Sequence, residues 1–182
     1  MIAVETNLEG CFVIKHKIFN DERGYFFESF NQKKFNNLID ANINFVQDNQ
    51  SFSTRGVLRG LHFQAPPHGQ GKLVRVTQGS VLDVAVDLRK GSSTYGQYEK
   101  VLLSADNKKQ FWVPEGFAHG FLALEDNTVF NYKSTGFYNE ESEGGLNWDD
   151  PGLKIDWGLD IDPVLSEKDR LAASFETFKS TF

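Results

Sequence analysis

Alternation of apolar and polar positions dominates the middle of the chain. Over residues 80–88, Leu82, Val84, Val86 and Leu88 fall on one face of an extended segment, and Val81, Asp83, Ala85 and Asp87 fall on the other. Strand-like runs recur over residues 57–63, 73–76, 98–104, 110–113, 117–124 and 128–133, separated by turn formers such as Pro66, Pro67, Gly69, Gly71, Gly96, Asn107, Pro114, Gly116 and Asn127. Many short strands at near-regular spacing predict a sandwich or barrel. Before them, FVIKHKIF and YFFESF read as two strands around a turn over residues 20–24. INFVQDN reads as another strand, with Phe45, Gln47 and Asn49 on one face.

Helical periodicity appears twice. Residues 31–40 place Phe35, Leu38 and Ile39 at helical spacing behind an Asn31 cap. Near the end, Ser166 and Asp169 have capping-box spacing, and Leu171, Phe175 and Phe178 follow at helical intervals, which predicts a C-terminal helix starting at Ser166. The loop-rich stretch after Gly136 holds two of the three tryptophans and is expected to wrap over the sheet.

In RGVLRGLHFQ the alternation conflicts with the chemistry. Strict period two sets Arg59 with Leu61 on one face and Leu58 with His62 on the other. The two polar groups can share a pocket only if Gly60 bulges the strand, and that bulge is expected.

Composition narrows the picture. A length of 182 residues with 40% hydrophobic content suits one domain, 1–182, with a sizeable core. The formal net charge of -6 argues against a nucleic-acid or membrane surface, so an anionic ligand must meet a local basic cluster. One cysteine, Cys11, excludes an intrachain disulfide and fits a reducing cytoplasm. No long apolar run or cleavable leader is visible, so a soluble chain is expected.

Candidate chemistry centres on residues 55–76, which hold two histidines and four cations. A metal site is not expected. His62 lacks a second ligand on its strand face, and the Pro114, Gly116 and His119 spacing, similar to a cupin motif, makes only a weak ligand set. His119 is expected to donate to a ligand instead. His62 suits a base near neutral pH, Lys72 can stabilise negative charge, and Tyr132 can deliver a proton, a set fit for proton abstraction beside a carbonyl. Arg23, Arg59 and Lys72 could neutralise a diphosphate. Spacing alone leaves a β-barrel protein with an anion pocket.

Taken in order, RGVLRGLHFQAPPHGQGKLVRV, GSVLDVAVDLRKGSSTYG, WVPEGFAHGFLAL, NYKSTGFY, ESEGG, WDDP and LSEKD resemble the dTDP-4-dehydrorhamnose 3,5-epimerase family over residues 10–170. The resemblance implies a mainly β, cupin-type jelly-roll barrel with a few short peripheral helices, working as a homodimer without metal or other cofactor. It implies a dTDP-4-keto-6-deoxy sugar as substrate, inverted at C3 and C5. By position, His62 matches the catalytic base, Asp169 the carboxylate that holds it, Tyr132 the acid on the opposite sugar face, and Lys72 the group stabilising the enolate. Arg23, Glu28, Gln47, Asn49, Arg59, His119, Glu143 and Lys168 match substrate-binding positions, and Tyr138 matches the aromatic that stacks on thymine. Arg23 and Glu28 are expected to reach the partner's pocket by strand exchange. A single-carbon epimerase of a related sugar is the nearest rival, and a non-catalytic sugar-binding cupin a more distant one.

Overall fold

The computed structural model describes residues 1–182. Six strands form one antiparallel sheet in the order β1 (Ile2–Glu5), β2 (Phe12–Lys15), β10 (Gln110–Val113), β7 (Lys72–Gln78), β12 (Thr128–Ser134) and β5 (Gln47–Ser53). A second antiparallel sheet runs β13 (Glu143–Gly145), β6 (Leu58–Gln64), β11 (Phe117–Ala123), β8 (Ser80–Asp87) and β9 (Tyr98–Ser104). Successive strands repeatedly switch sheets, and the two sheets close face to face as a cupin-type jelly roll. Helix α1 (Gln32–Ile39) lies outside them, its Asn31 side chain accepting from the Lys34 N–H as predicted.

Burial explains why β8 is apolar on both faces. Its Val81 and Ala85 join Val74, Val76, Phe111, Phe121 and Phe130 in the barrel interior. Its Val84 and Val86, with Leu88 just after it, face outward, yet they lie under Leu146, Leu153 and Trp157 of the C-terminal wrap. The loop-rich region therefore covers the second sheet, as its tryptophans suggested.

The expected bulge is present. His62 pairs with His119 and Arg59 with Phe121, so Gly60 and Leu61 together oppose the single residue Gly120. Two paired positions on one strand face now receive residues three apart, and Arg59 and His62 fall on the same side of β6. Gly60 sits at φ +128°, and a Cβ there would lie 2.5 Å from the Gly120 Cα. Gly60→Ala is thus expected to lose about 1–3 kcal/mol from backbone strain alone and to lose activity as the bulge relaxes. Urea unfolding and turnover check this, and an alanine variant with parental values for both would show that the bulge is dispensable.

Three elements differ from the sequence pattern. The first N-terminal strand breaks after Lys15, and a separate hairpin, β3 (Phe19–Asp21) with β4 (Gly24–Phe26), carries the turn. The strand expected over residues 43–49 instead begins at Gln47 and runs to Ser53. The predicted C-terminal helix is only one turn, α2 (Glu167–Arg170). Beyond it, Asp150 accepts from the Phe175 N–H and the Ser174 hydroxyl at 2.8 Å each, while Ala173 bridges to Leu146. Those tertiary bonds take the donors a longer helix would need. Phe178 and Phe182 then stack edge-on against Phe63, pairs worth about 0.5–1.5 kcal/mol each beyond their burial.

Candidate active site

β6 carries His62 into the barrel, and α2 brings Asp169 to it. The His62 Nε2 lies 2.5 Å from Asp169 Oδ1. Ser166 caps the helix by accepting from the Asp169 N–H, and its hydroxyl donates to Asp169 Oδ2 at 2.8 Å. The capping box seen in the sequence therefore also orients a buried carboxylate. Parallel bridges from Val57 to Val164 and from Leu146 to Ala173 hold the segment on both sides of this contact. Burial raises the Asp169 carboxyl, but the hydrogen bond and charge of His62, with Ser166 and Lys168, outweigh it and hold the group below its ordinary range. An ionised Asp169 only accepts, so Nε2 carries the proton and Nδ1 of a neutral His62 is the basic nitrogen.

The opposite sheet supplies the other polar groups. Across β7, β12 and β5, Lys72 pairs with Ser134 and Ser134 with Gln47, while Val74 pairs with Tyr132 and Tyr132 with Asn49. These two adjacent rows share the inner face. Lys72 is half-buried and makes no hydrogen bond or ion pair. Burial pushes its ammonium down to about 8, against Asp83 and Glu143, which favour the charged form. Burial and then the Glu143 charge raise the Tyr132 phenol, which keeps it a proton donor at neutral pH. Glu143 lies close enough for its charge to act on Lys72, on Tyr132 and with His62, so a base, a cation and a phenol surround one carboxylate.

The other expected binding residues divide into two groups. Glu143 pairs with Lys168 and accepts from the Tyr138 hydroxyl at 2.9 Å, and the Gln47 side chain, itself bonded to Asn49, accepts from the Tyr138 N–H. Arg59 reaches the Ser53 hydroxyl at 3.3 Å beside them. His119 directs its Nε2 to Asp83, 2.9 and 3.0 Å from the two carboxylate oxygens, which leaves Nδ1 as its only ring nitrogen without a partner. Arg23 and Glu28 are elsewhere. The exposed Arg23 pairs with Asp21 in the β3–β4 hairpin, and Glu28 pairs with Lys34 on the outside. A cleft of about 390 Å³ at the six-stranded sheet, lined by Arg75, Gln110 and Lys133 together with Asn49 and Tyr132, contains neither His62 nor Lys72. Sequence reasoning passed over Asp83 and Ser134, a buried hydroxyl without a partner beside Lys72. The only available signal was their strand parity with inward-facing neighbours.

The family model described as dTDP-4-dehydrorhamnose 3,5-epimerase matches residues 5–177. The chain belongs to that epimerase family. The dTDP-4-dehydrorhamnose 3,5-epimerase of Methanothermobacter thermautotrophicus is 53% identical over 169 residues, covering 92% of this chain and 90% of the relative. Among solved structures, the Legionella pneumophila dTDP-6-deoxy-D-glucose-3,5-epimerase in complex with dTDP-4-keto-L-rhamnose superposes with TM-score 0.94 at 47% identity, covering 97% of this chain and 94% of that one. The 3'-monoepimerase ChmJ from Streptomyces bikiniensis, in complex with dTDP-quinovose, gives TM-score 0.90 at 33% identity, covering 97% and 88%. Membership in the dTDP-4-dehydrorhamnose 3,5-epimerase family thus accompanies a close match of the whole barrel. No group of three or more His, Cys, Asp or Glu side chains is placed to hold a metal ion in this epimerase-family chain, and no helix is long and apolar enough to cross a membrane.

Proposed function

We propose that the chain inverts C3 and C5 of dTDP-4-dehydro-6-deoxy-D-glucose to give dTDP-4-dehydro-L-rhamnose, a step of dTDP-L-rhamnose synthesis, without metal or redox cofactor. One observation carries this reading: the His62–Asp169 pair, Lys72 and Tyr132 are grouped around Glu143, whose charge acts on His62, Lys72 and Tyr132 alike, in a chain of this family. C3 and C5 both flank the C4 carbonyl, so one cation beside the carbonyl oxygen acidifies both protons. His62 Nδ1 takes the C–H proton and becomes imidazolium beside ionised Asp169. The electron pair passes to the carbonyl oxygen near Lys72, and Tyr132 delivers a proton to carbon from the opposite face. Solvent then restores both groups. Inversion needs two groups, since one group returning its own proton would retain configuration.

Glu143, Lys168, Gln47, Asn49, Arg59 and His119 hold the nucleotide sugar in this reading, and Tyr138, more than half exposed at the rim, stacks on thymine. Proton NMR in D2O with dTDP-4-keto-6-deoxyglucose tests it. Exchange at both carbons and a borohydride-trapped product inverted at both support two epimerisations. Inversion at one carbon alone would make the chain a monoepimerase, and no exchange would reduce it to a sugar-binding barrel.

We further propose a homodimer in which the β3–β4 hairpin brings Arg23 and the following Glu28 to the partner's pocket. The hairpin exposes Phe19, Tyr25 and Phe26 at 52–70%, an apolar surface unusual for a free arm. Arg23→Ala and His62→Ala, each impaired alone, should recover activity after subunits are exchanged between them, because one hybrid pocket is then intact. Absence of recovery in confirmed hybrids would place Arg23 in its own chain's pocket or outside both. The lone buried cysteine suits a cytoplasmic site for this synthesis.

A further inference from the structure

Strand β8 carries two fully buried carboxylates, and they are satisfied very differently. Asp87 accepts from the Arg89 backbone and guanidinium and from the hydroxyls of Ser92 and Thr94, which closes the following loop. Asp83 has one partner, the His119 Nε2, shared between its two oxygens. A carboxylate offers about four acceptor sites, and leaving them unfilled away from water is costly. Val81 and Ala85, on the same inner face of β8, show that an apolar residue would fit the interior. Packing therefore gives no reason for a charge at position 83.

Lys72 supplies one. It projects from the facing sheet with the parity of Val74 and Val76, which join Val81 and Ala85 in one interior cluster, so Lys72 and Asp83 look into the same space. The other charged groups around Lys72 are Glu143 on β13 and Lys168 on α2, and Glu143 interacts in turn with His62, the partner of Asp169. Glu143 is already paired with Lys168 and bonded to the Tyr138 hydroxyl. Asp169 is likewise engaged by His62 and Ser166. Asp83 is left as the negative charge with no cation of its own.

We propose that Asp83 is a positioning residue of this site: from the barrel interior it fixes the ring orientation of His119 and supplies the counter-charge that keeps the Lys72 ammonium protonated until an enolate forms. Two consequences follow from the geometry. An ionised Asp83 requires the proton on His119 Nε2, so Nδ1 is the ring nitrogen left to contact the sugar. The Lys72 charge, which burial pushes down to about 8 even with Asp83 present, depends on a residue that touches no substrate. The inference rests on the reading of Lys72 as the enolate-stabilising group.

The test is Asp83→Asn in the full-length protein, with the Lys72 titration followed by heteronuclear NMR on lysine-labelled protein and kcat followed against pH. Loss of the carboxylate should lower the Lys72 midpoint by about one unit or more. The alkaline limb of kcat should move acidward by the same amount, with the melting temperature near the parent value. An unmoved Lys72 midpoint in folded Asp83→Asn overturns the proposal. A midpoint that moves while the alkaline limb stays fixed supports the coupling and instead removes Lys72 from the enolate role. If Asp83→Asn does not fold, Glu143→Gln decides: a smaller movement of the Lys72 midpoint than one unit supports Asp83 as the main counter-charge, and a movement of that size or more assigns it to Glu143.

Discussion

Replacing His62 with alanine is expected to abolish wash-in of solvent deuterium at both C3 and C5. The same base serves both carbons in the proposed reaction, since His62 takes both protons while His119, bonded through Nε2 to Asp83, binds the sugar. Losing a positioned base should cost roughly 10²- to 10⁴-fold in rate. Asp169→Asn is the companion variant. Asparagine can offer its amide to the imidazole, which permits the wrong tautomer and removes the charge that stabilises imidazolium. Exchange at both carbons should fall strongly while dTDP affinity stays similar, because Asp169 is 4% exposed and faces His62 and Ser166. Normal exchange at either carbon in His62→Ala would mean that another group abstracts that proton.

Tyr132→Phe should separate abstraction from inversion. The variant keeps His62, Lys72 and nearly all the cavity shape, and removes only the phenolic proton on the opposite wall. Deuterium wash-in should therefore persist while inverted product falls by roughly 10²- to 10⁴-fold. A tyrosine serving only as a wall residue would lose a single neutral hydrogen bond at most, worth about 0.5–1.5 kcal/mol of stability. The Tyr132 hydroxyl has no hydrogen-bond partner in the chain, so little change in melting temperature is expected. The ratio of wash-in to inverted product, measured beside that melting temperature, distinguishes the two roles. A phenylalanine variant that makes product at the parent rate would leave water or another side chain as the donor.

Much of the barrel was legible because half-covered strands repeat with period two. The bulge at Gly60 was also legible, since two polar residues had to be brought to one side of β6. β5 was displaced for a physical reason. Its inner face carries Gln47, Asn49, Ser51 and Ser53, polar groups lining a cavity, so hydrophobic alternation fades where the strand begins. The faces of β8 could not be assigned because both are covered, one by the opposite sheet and one by the C-terminal wrap. The long terminal helix failed because local periodicity cannot reveal that Asp150, far from Phe175 in sequence, captures the next donors. Among site residues, the structure joins His62 to Asp169 and sets Lys72 and Tyr132 on adjacent rows of the facing sheet, whereas Asp83 was hidden as one acidic residue in an alternating strand. Arg23 and Glu28 lie on exposed surfaces, paired with Asp21 and Lys34.

The helix turn that delivers Asp169 follows all thirteen strands in the chain, and its carboxylate meets an imidazole 107 positions earlier. During synthesis, every strand of the barrel leaves the ribosome before the group that tunes its base. The carboxylate that orients the base is therefore made after every strand, and a chain stopped short of it holds the strands with an unassisted histidine. Turnover thus reports the turn that carries Asp169, which strand content alone does not register.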